Sequence, residues 1–389
     1  MSEKLVRIFF CTLVYNTNVH IGVTIAKEQK VSLKIAVYAI AKNEEQNIRK
    51  FMECVKEADK VIILDTGSTD KTVEIAKECG AEVYTKIFNP WRFDHARNAA
   101  LDLIPEDYDI CFSIDLDETI EPKQGWRKAL EKTWIETKAN RIWVNYVHNH
   151  HPDGSPNITF LRQHIHARKG YRWNRPVHED PVCIEGKENK QFCDGFTIHH
   201  WQNKDTSRSN YILLMKMATE ENPSDGQISF WYARELLWNR QIKEAEKEFL
   251  RFINTINGWE PERSAAMYLL AKCYEQNDKD KAEYWYLKAI IENLNEREPW
   301  IELAQFYQLY RKHKECYTII DRVFQINERS KHYLVKDENW KEKPWDILAV
   351  SAWYLGMKEK SVEAIEKAYA MAPYNQRIVY NYKFIKGIS

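Results

Sequence analysis

The stretch Asp109-Ile110-Cys111-Phe112-Ser113-Ile114-Asp115-Leu116-Asp117-Glu118-Thr119 decides the fold of the first half of the chain. The apolar run from Ile110 to Ile114 predicts a short buried strand. Asp115 and Asp117 follow where this strand gives way to a loop, and open α/β sheets bind ligands in the crevice at that end of their strands. Two carboxylates there suit a hard divalent cation that takes its other ligands from water and substrate phosphates. A solvated acidic loop is the alternative for this motif taken alone.

Length and composition restrict the class of protein. A chain of 389 residues is too long for one ordinary core, so two domains are expected. The 57 basic and 57 acidic side chains balance, which gives no net field to recruit a polyanion such as nucleic acid. A hydrophobic content of 44% indicates a folded globule. No window reaches the roughly 18 apolar residues that a membrane helix needs, although the run 5–14 leaves a signal peptide as an alternative.

The eight cysteines indicate the compartment. They include no Cys-x-x-Cys pair, and most lie in apolar surroundings. We therefore expect reduced, buried thiols in a cytoplasmic protein, with a bridge between Cys183 and Cys193 as the alternative.

Strands and helices alternate from residue 34 onward. Apolar runs predict strands over residues 35–40, 61–64, 81–84 and 110–114. Polar turns and cap residues between them predict helices over residues 43–57, 71–79 and 95–103, the first with Asn43 as cap and Gln46 reaching back to it. This alternation predicts a mostly parallel sheet covered by helices on both faces.

Acidic residues follow three of these predicted strands. They are Glu44, Asp65 and the pair Asp115 and Asp117. A parallel sheet aligns the carboxyl ends of its strands along one edge, so we expect these groups to converge on one site. For Glu44 the alternative is stabilisation of a helix N-terminus, and for Asp65 it is turn chemistry.

Two later segments contain histidine and acidic side chains. Residues 148–151 (His-Asn-His-His) join strands predicted over 141–147 and 158–165, and Pro152-Asp153-Gly154 is strong turn chemistry. A polar loop at a hairpin tip is therefore expected, with a metal site as the alternative. Further on, the acidic pair Glu179-Asp180 lies beside His178 and close to Trp173, which offers a general base with an aromatic wall.

The second half of the chain has a different period. Small residues occur in pairs separated by eleven or twelve positions, at Ala233/Ala245, Ala271/Ala282, Ala304/Cys316 and Ala352/Ala364. Prolines lie between the pairs. Aromatic residues recur around the pairs, namely Phe230, Trp231, Trp238, Tyr268, Tyr274, Trp285, Trp300, Phe306, Tyr307, Trp353, Tyr354 and Tyr369. A repeat of about 34 residues with small residues at helix crossings predicts tetratricopeptide-like helical hairpins, whose aromatic stripes form core. The longer third interval predicts an insertion over residues 330–343.

Five motifs occur in the order found in family-2 glycosyltransferases, which the chain therefore resembles. They are Ala39-Ile40-Ala41-Lys42-Asn43-Glu44-Glu45, Leu64-Asp65-Thr66-Gly67-Ser68-Thr69-Asp70, Phe93-Asp94-His95-Ala96-Arg97-Asn98, Ile114-Asp115-Leu116-Asp117-Glu118 and Val177-His178-Glu179. The chain is most similar to the branch with appended helical repeats, which includes lipopolysaccharide-core glucosyltransferases and bacteriocin peptide S-glycosyltransferases.

This resemblance implies a domain organisation. Residues 34–205 would form a GT-A (nucleotide-diphospho-sugar transferase) domain with a mostly parallel sheet, and residues 206–389 would form tetratricopeptide-like helical repeats. Residues 1–33 are a departure from the family pattern, an N-terminal extension whose loose alternation of apolar and polar residues predicts edge strands. The repeats are expected to bind the acceptor or to make a homodimer, and we favour the homodimer.

The resemblance also implies an inverting transfer of a hexose from a nucleoside-diphosphate sugar, UDP-linked, to a hydroxyl or thiol of a saccharide or of a peptide or protein. By motif position, Ala39, Glu44 and Asp65 would hold the uridine, and Arg97 and Asn98 would lie against the nucleotide. Asp115 and Asp117 match the metal-and-diphosphate motif, with Asp117 the more direct ligand of Mg²⁺ or Mn²⁺. Glu179 matches the catalytic base. His200, or His199 in its place, matches a histidine near the diphosphate.

Two other classes of function are alternatives. The sequence Asp115-Leu116-Asp117-Glu118-Thr119 also fits the nucleophile motif of haloacid-dehalogenase-like phosphatases, but a matching downstream lysine and acidic pair are not found. The second alternative is a non-catalytic scaffold in which the helical repeats are the functional part. The occupied acidic positions of the first half argue against it.

Overall fold

The computed structural model describes residues 32–151, 153–201 and 211–388. The described residues from Leu33 onward belong to one compact unit. The N-terminal extension expected at residues 1–33 lies outside the described residues except at its last two positions. The predicted domain boundary near residue 205 also lies outside them, between a half rich in strands and a half made of helices.

The first half contains an eight-stranded sheet and a separate two-stranded one. In chain order the strands are β1 (Ile35–Ala41), β2 (Lys60–Asp65), β3 (Glu82–Thr85), β4 (Ile110–Ser113), β5 (Glu118–Glu121), β6 (Arg141–His150), β7 (Pro156–Ala167), β8 (Tyr171–Asn174), β9 (Asp180–Cys183) and β10 (Lys190–His200). The large sheet has the order β3-β2-β1-β4-β7-β6-β10-β5, and β8 pairs with β9. Strands β1 to β4 pair in parallel, as does β10 with β6, whereas β7 and β5 are antiparallel to their neighbours. The predicted mostly parallel sheet is confirmed.

Helices cover both faces of this sheet. Strand β1 is apolar at successive positions rather than at alternate ones, so its side chains pack against helices on both faces. The helices are α1 (Ile48–Cys54), α2 (Thr72–Glu78), α3 (Phe93–Asp102) and α4 (Trp126–Thr137). Ile35 and Val37 point into one core together with Trp126 of α4. Ala36 and Tyr38 point into the other together with residues of α3. A strand buried on both faces reads as a continuous apolar run, which is what β1 shows.

The predicted capping of the first helix is wrong. Asn43 has φ 59°, and α1 begins at Ile48, five residues later. The Asn43 side chain instead accepts a hydrogen bond from the backbone N–H of Thr69 (2.8 Å), in the loop after β2. The backbone N–H of Glu44 likewise donates to Thr72 Oγ1 (2.7 Å). The loops after β1 and β2 therefore hold each other, which secures two neighbouring strand ends.

The second half consists of paired helices. After α5 (Tyr211–Glu221) come the pairs α6 (Gly226–Trp238) with α7 (Ile242–Thr255), α8 (Glu260–Tyr274) with α9 (Lys279–Glu292), α10 (Arg297–Leu309) with α11 (His313–Phe324), and α12 (Glu342–Tyr354) with α13 (Lys358–Met371), followed by α14 (Gln376–Lys386). The small residues predicted at the helix crossings are all buried, and all but Ala352 belong to one core cluster. The predicted helical hairpins are confirmed. No helix in the described parts of the chain is long and apolar enough to cross a membrane.

Most, but not all, of the aromatic stripes form core as predicted. Phe230, Tyr268 and Phe306 are buried. Trp238 and Tyr354, which were expected to be part of the same stripes, are 56% and 61% exposed. Both lie in the last turn of the first helix of a hairpin, where the chain turns away from the core.

The predicted insertion is present between α11 and α12, and we call residues 330–341 the insertion segment. It includes a 3-10 turn at Asp337–Trp340. The hydroxyl of Tyr333 donates to Glu262 of α8 (2.5 Å) and accepts from Trp231 of α6 (3.0 Å). Lys336 Nζ donates to Glu302 of α10 (2.9 Å). The segment therefore runs along the face formed by the first helices of the hairpins.

The cysteines are free thiols at all seven positions in the described ranges. Cys193 is buried, and Cys183 is half-buried without a bond to it. The alternative bridge between Cys183 and Cys193 does not form, and five of the seven thiols are buried as expected. The reduced state and the cytoplasmic location stay predictions.

Close packing of β10 against α4 yields a stability prediction. A Cβ on Gly195 would lie 2.2 Å from the Cβ of Ala129. Gly195→Ala should lower the free energy of unfolding by about 1–3 kcal/mol, since two backbones would have to separate. Urea denaturation measures this.

The matched control exchanges the two residues. Ala129→Gly alone loses helix propensity worth about 1 kcal/mol, but combined with Gly195→Ala it restores the space. The double variant should therefore lose less free energy of unfolding than the two single variants lose together. Additive losses would contradict the packing argument.

Candidate active site

Three neighbouring strands carry acidic residues at the same edge of the sheet. Asp65 ends β2, while Glu44 and Asp115 follow β1 and β4 by a few residues, and the sheet order is β2-β1-β4. Burial raises the pKa of the Glu44 carboxyl, and the negative charges of Asp117 and Asp115 raise it further. Glu44 thus lies within the electrostatic field of the Asp115/Asp117 pair, as expected for parallel strands.

Two arginines hold Asp115. Its Oδ1 accepts from Nη2 of Arg97 (2.8 Å), and its Oδ2 accepts from Nη2 of Arg162 (3.3 Å). Burial alone would raise the pKa of Asp115, but the two guanidinium groups outweigh it and keep that pKa well below its usual range. Asp115 is therefore a carboxylate throughout the neutral pH range, with both oxygens engaged.

Arg97 also holds Glu179. Its Nε donates to Glu179 Oε1 (2.5 Å), and its Nη1 donates to Ser113 Oγ (3.1 Å). The side chains of Arg97 and Glu179 are only 6% and 8% exposed. Burial raises the pKa of Glu179, and the adjacent guanidinium only partly offsets this effect. One buried cation thus links residues separated by 64 positions in the chain, Asp115 and Glu179.

A second buried network lies next to the first, and the sequence prediction missed it. Glu118, 1% exposed, pairs with Arg162 and accepts from the hydroxyl of Tyr146 (2.8 Å). It also accepts from the backbone N–H of Asp115 (2.9 Å). The available signal in the sequence was a charged residue, Arg162, in the middle of the strand predicted over residues 158–165. These contacts hold the backbone on which Asp115 and Asp117 lie.

Asp117 contacts His200, the last residue of β10. Nε2 of His200 lies 3.0 Å from Asp117 Oδ2, and its Nδ1 lies 3.1 Å from the carbonyl oxygen of His148. Burial lowers the pKa of His200, but the hydrogen bond and charge of Asp117 outweigh it and raise that pKa overall. His199, the alternative residue, faces His150 (3.0 Å) and Glu121 (3.5 Å) instead.

The segment 148–151 differs from the prediction. His148 and His150 belong to β6, which extends three residues beyond the predicted strand, so only the end of the segment reaches the turn. The ring of His150 stacks on Trp201 at 4.1 Å between centroids. In the described ranges, no group of three or more His, Cys, Asp and Glu side chains is placed to hold a metal ion by itself.

The remaining predicted site residues have structural contacts. Ala39 is fully buried in β1. Asp65 accepts from the backbone N–H groups of Gly67 and Ser68 (both 3.1 Å), so its carboxylate stabilises the turn after β2. Asn98 donates to and accepts from the backbone of Trp173 (2.8 and 2.9 Å). Their predicted contacts with the nucleotide stay predictions.

Comparison with known proteins identifies the class of the first half. Residues 36–172 match the family model described as Glycosyl transferase family 2. An uncharacterized glycosyltransferase of Rickettsia bellii (strain RML369-C) is 39% identical over 88 residues, which are 22% of this chain and 29% of the relative. A second, from Rickettsia typhi (strain ATCC VR-144 / Wilmington), is 48% identical over 59 residues, 15% of this chain and 19% of the relative. The chain thus spans less than a third of the length of these relatives.

The acidic residues at the carboxyl ends of β2, β1 and β4 are consistent with these matches. Residues 36–172 form a glycosyltransferase family 2 domain. The helical half is similar to the crystal structure of MamA, with 13% identity and a TM-score of 0.34 over 42% of this chain and 86% of that chain. It is also similar to YrrB, described as a TPR protein with an unusual peptide-binding site, with 15% identity and a TM-score of 0.34 over 44% of this chain and 81% of that one. The hairpin architecture itself follows from the helix pairs described above.

Arg97 lies between Glu179, whose side chain is 8% exposed, and the half-buried Asp115, which predicts a large loss of stability on its removal. Arg97→Gln should lower the free energy of unfolding at pH 7.5 by about 3 kcal/mol, because Glu179 then remains buried without its cation while Asp115 keeps only Arg162. Without Arg97 the pKa of Glu179 should rise further. Glu179 can then take up a proton on folding at lower pH, so the loss should be smaller at pH 5.5 than at pH 7.5.

Urea denaturation at the two pH values measures both effects. Arg172→Gln is the matched control, since Arg172 pairs with Asp102 at the surface, where both side chains are more than one-third exposed. Little change is expected for that pair. Equal losses for the two variants would contradict the assignment of Arg97 as the central cation.

Proposed function

We propose that this chain is an inverting, metal-dependent glycosyltransferase. It would move a hexose from a nucleoside-diphosphate sugar, UDP-linked, to a hydroxyl or thiol of a saccharide or of a peptide or protein. The observation that carries the proposal is the pair of contacts made by Arg97, which place the carboxylates of Asp115 and Glu179 on one guanidinium. A carboxylate at the diphosphate position therefore lies close to a carboxylate at the position of the base.

The donor site is supported by buried positive charge. Arg97 and Arg162 lie at the end of β4, where the family motif expects the diphosphate. Cations near a departing diphosphate stabilise the negative charge that grows on it in the transition state. The uridine would be held at the neighbouring strand ends by Ala39, Glu44 and Asp65. Asn98 would contribute through its hydrogen bonds to the backbone of Trp173.

The metal is supported by Asp117 and His200. The contact with His200 uses one oxygen of the Asp117 carboxylate, which leaves the other for a cation. That free oxygen fits Mg²⁺ or Mn²⁺ if diphosphate oxygens and water complete the shell, as is usual for Mg²⁺. His200 would orient Asp117 rather than bind the cation, because both its ring nitrogens face oxygen acceptors. The described residues do not fit a cation held by the protein alone. Bound there beside Asp115, the ion would supply Lewis-acid stabilisation of the leaving diphosphate.

Glu179 is the proposed base. In a single displacement the acceptor attacks the anomeric carbon from the face opposite the diphosphate and loses its proton to one carboxylate. Glu179 must be ionised to accept that proton. Burial raises the pKa of Glu179. As the pH is lowered, the rate should therefore begin to fall at a higher pH than it would with an ordinary glutamate as base.

The two alternatives have less support. A phosphatase of the haloacid-dehalogenase type needs the first aspartate of the motif as a free nucleophile, but both oxygens of Asp115 bind arginines. A scaffold without activity would not require a buried base beside that pair.

The expected homodimer through the helical repeats stays a proposal. Helix α9 exposes a stripe of large apolar residues at helical spacing, with Tyr284, Leu287 and Ile291 exposed by 51%, 42% and 68%. A stripe of this kind would support association through the second hairpin.

The first test is a donor panel. Mass spectrometry of the protein with UDP- and GDP-sugars should reveal one donor that is slowly hydrolysed without an acceptor. Glu179→Gln should lower the rate of transfer by about 10²–10⁴-fold and leave the KM for the donor nearly unchanged, since the side chain keeps its shape but cannot take a proton. Wild-type activity in Glu179→Gln would remove the proposed mechanism, and phosphate release from an aryl phosphate would favour the phosphatase.

The second test concerns the cation. Chelation with EDTA should abolish transfer, and Mg²⁺ or Mn²⁺ should restore it. Asp117→Asn should raise the concentration of cation needed for half-maximal recovery at least tenfold, while Asp107→Asn at the surface should not. Full activity after exhaustive chelation would contradict the role of a metal.

A further inference from the structure

The segment that carries Glu179 has an unusual backbone. Arg175 and His178 have φ of 71° and 52°, the left-handed conformation that residues other than glycine seldom adopt. Each such residue is disfavoured by about 1 kcal/mol or more and persists only where its surroundings hold it. The segment of residues 175–179, which we call the base segment, therefore needs support from outside itself.

Helix α6 supplies this support at the start of the segment. The guanidinium of Arg175 donates to both oxygens of Asp225 (2.7 and 3.1 Å) and to Gln227 Oε1 (2.7 Å). The side chains of Arg175 and Asp225 are 18% and 12% exposed. A two-point pair of this kind fixes orientation as well as distance.

The helical half also packs against the rest of the segment. Val177 is 1% exposed and belongs to a small core with Leu214 and Met215 of α5. The ring of His178 lies 4.5 Å from that of Trp231, on α6. On the other side, the carbonyl oxygen of Pro176 accepts from the backbone N–H of Phe93 (3.0 Å), the first residue of the helix that carries Arg97.

We infer that Asp225 of the first helical hairpin is a positioning residue for Glu179, which makes the helical repeats part of the catalytic apparatus. Asp225 acts through Arg175, and the base segment then delivers Glu179 to Arg97 at the sheet edge. The inference rests on the proposed function, because it assigns a position to the proposed base. A base displaced by about 1 Å loses much of its effect, which is why a remote contact can matter for the rate.

Asp225 allows a clean test, because it has a second, separable role. It is the N-cap of α6, where its side chain accepts from the N–H of Ile228 (3.2 Å). Serine caps a helix about as well as aspartate, but it is too short and uncharged to hold Arg175. Asp225→Ser therefore keeps the cap and loses the pair. Asp278→Ser is the matched control, since Asp278 caps α9 in the same way (3.0 Å to Lys281) far along the chain from the base segment.

Steady-state kinetics should separate the two variants. Asp225→Ser should lower kcat about ten- to a hundredfold with the KM for the donor within twofold of wild type. Asp278→Ser should retain the wild-type kcat. Asp225→Ser should have the lower thermal midpoint, because Arg175 loses a mostly buried partner, so kcat is measured well below both midpoints. Hydrogen exchange should be faster across residues 175–180 in Asp225→Ser alone, a readout that does not depend on activity.

The outcomes distinguish this inference from the proposed function. If Glu179→Gln is inactive but Asp225→Ser keeps wild-type kcat and exchange, the positioning role is wrong and the base assignment stands. If Asp225→Ser and Asp278→Ser lose kcat equally, the effect is general destabilisation and the inference is also wrong. If Glu179→Gln is as active as wild type, the assignment of Glu179 as the base is wrong, and the positioning role that rests on it is wrong as well.

Discussion

The structure of the candidate site depends on one buried guanidinium. Arg97 contacts Asp115, Glu179 and Ser113 at once and is almost fully enclosed. Without this cation the repulsion between the two carboxylates would add to the lost hydration of Glu179, which is 8% exposed, and of the half-buried Asp115. Arg97 thus links the strand end after β4 to the base segment. Arg162 repeats the arrangement on the other side of Asp115 with Glu118.

The two halves of the chain contribute to this site in different ways. Parallel strands bring acidic groups to one edge by topology alone, since every such strand ends at the same side. The base segment has no such help, and its left-handed residues are held by Asp225 and Trp231 of the helical half. The sheet thus supplies the part of the candidate site around Asp115, and helices hold the segment that carries Glu179.

Sequence reasoning predicted the elements whose signal is local. The run from Ile110 to Ile114 and the small residues at the helix crossings are examples, since burial and helix packing leave direct periodic patterns. The cap expected at Asn43 was wrong because a residue of the neighbouring loop, Thr69, competed for its side chain. Two ion pairs were not predictable from the sequence, that of Glu118 with Arg162 and that of Arg175 with Asp225. Each joins residues more than 40 positions apart, and only the folded arrangement selects them among many charged side chains.

The insertion segment has a consequence for how the helical half can meet other molecules. Solenoid proteins commonly use the curved face lined by the first helix of each repeat as a cradle for an extended peptide. Here Tyr333 and Lys336 already lie on that face, and Phe160 and His151 of the sheet half touch the same segment. The insertion segment therefore covers this face from within the chain and connects the two halves, so a peptide could reach the face only by displacing the segment.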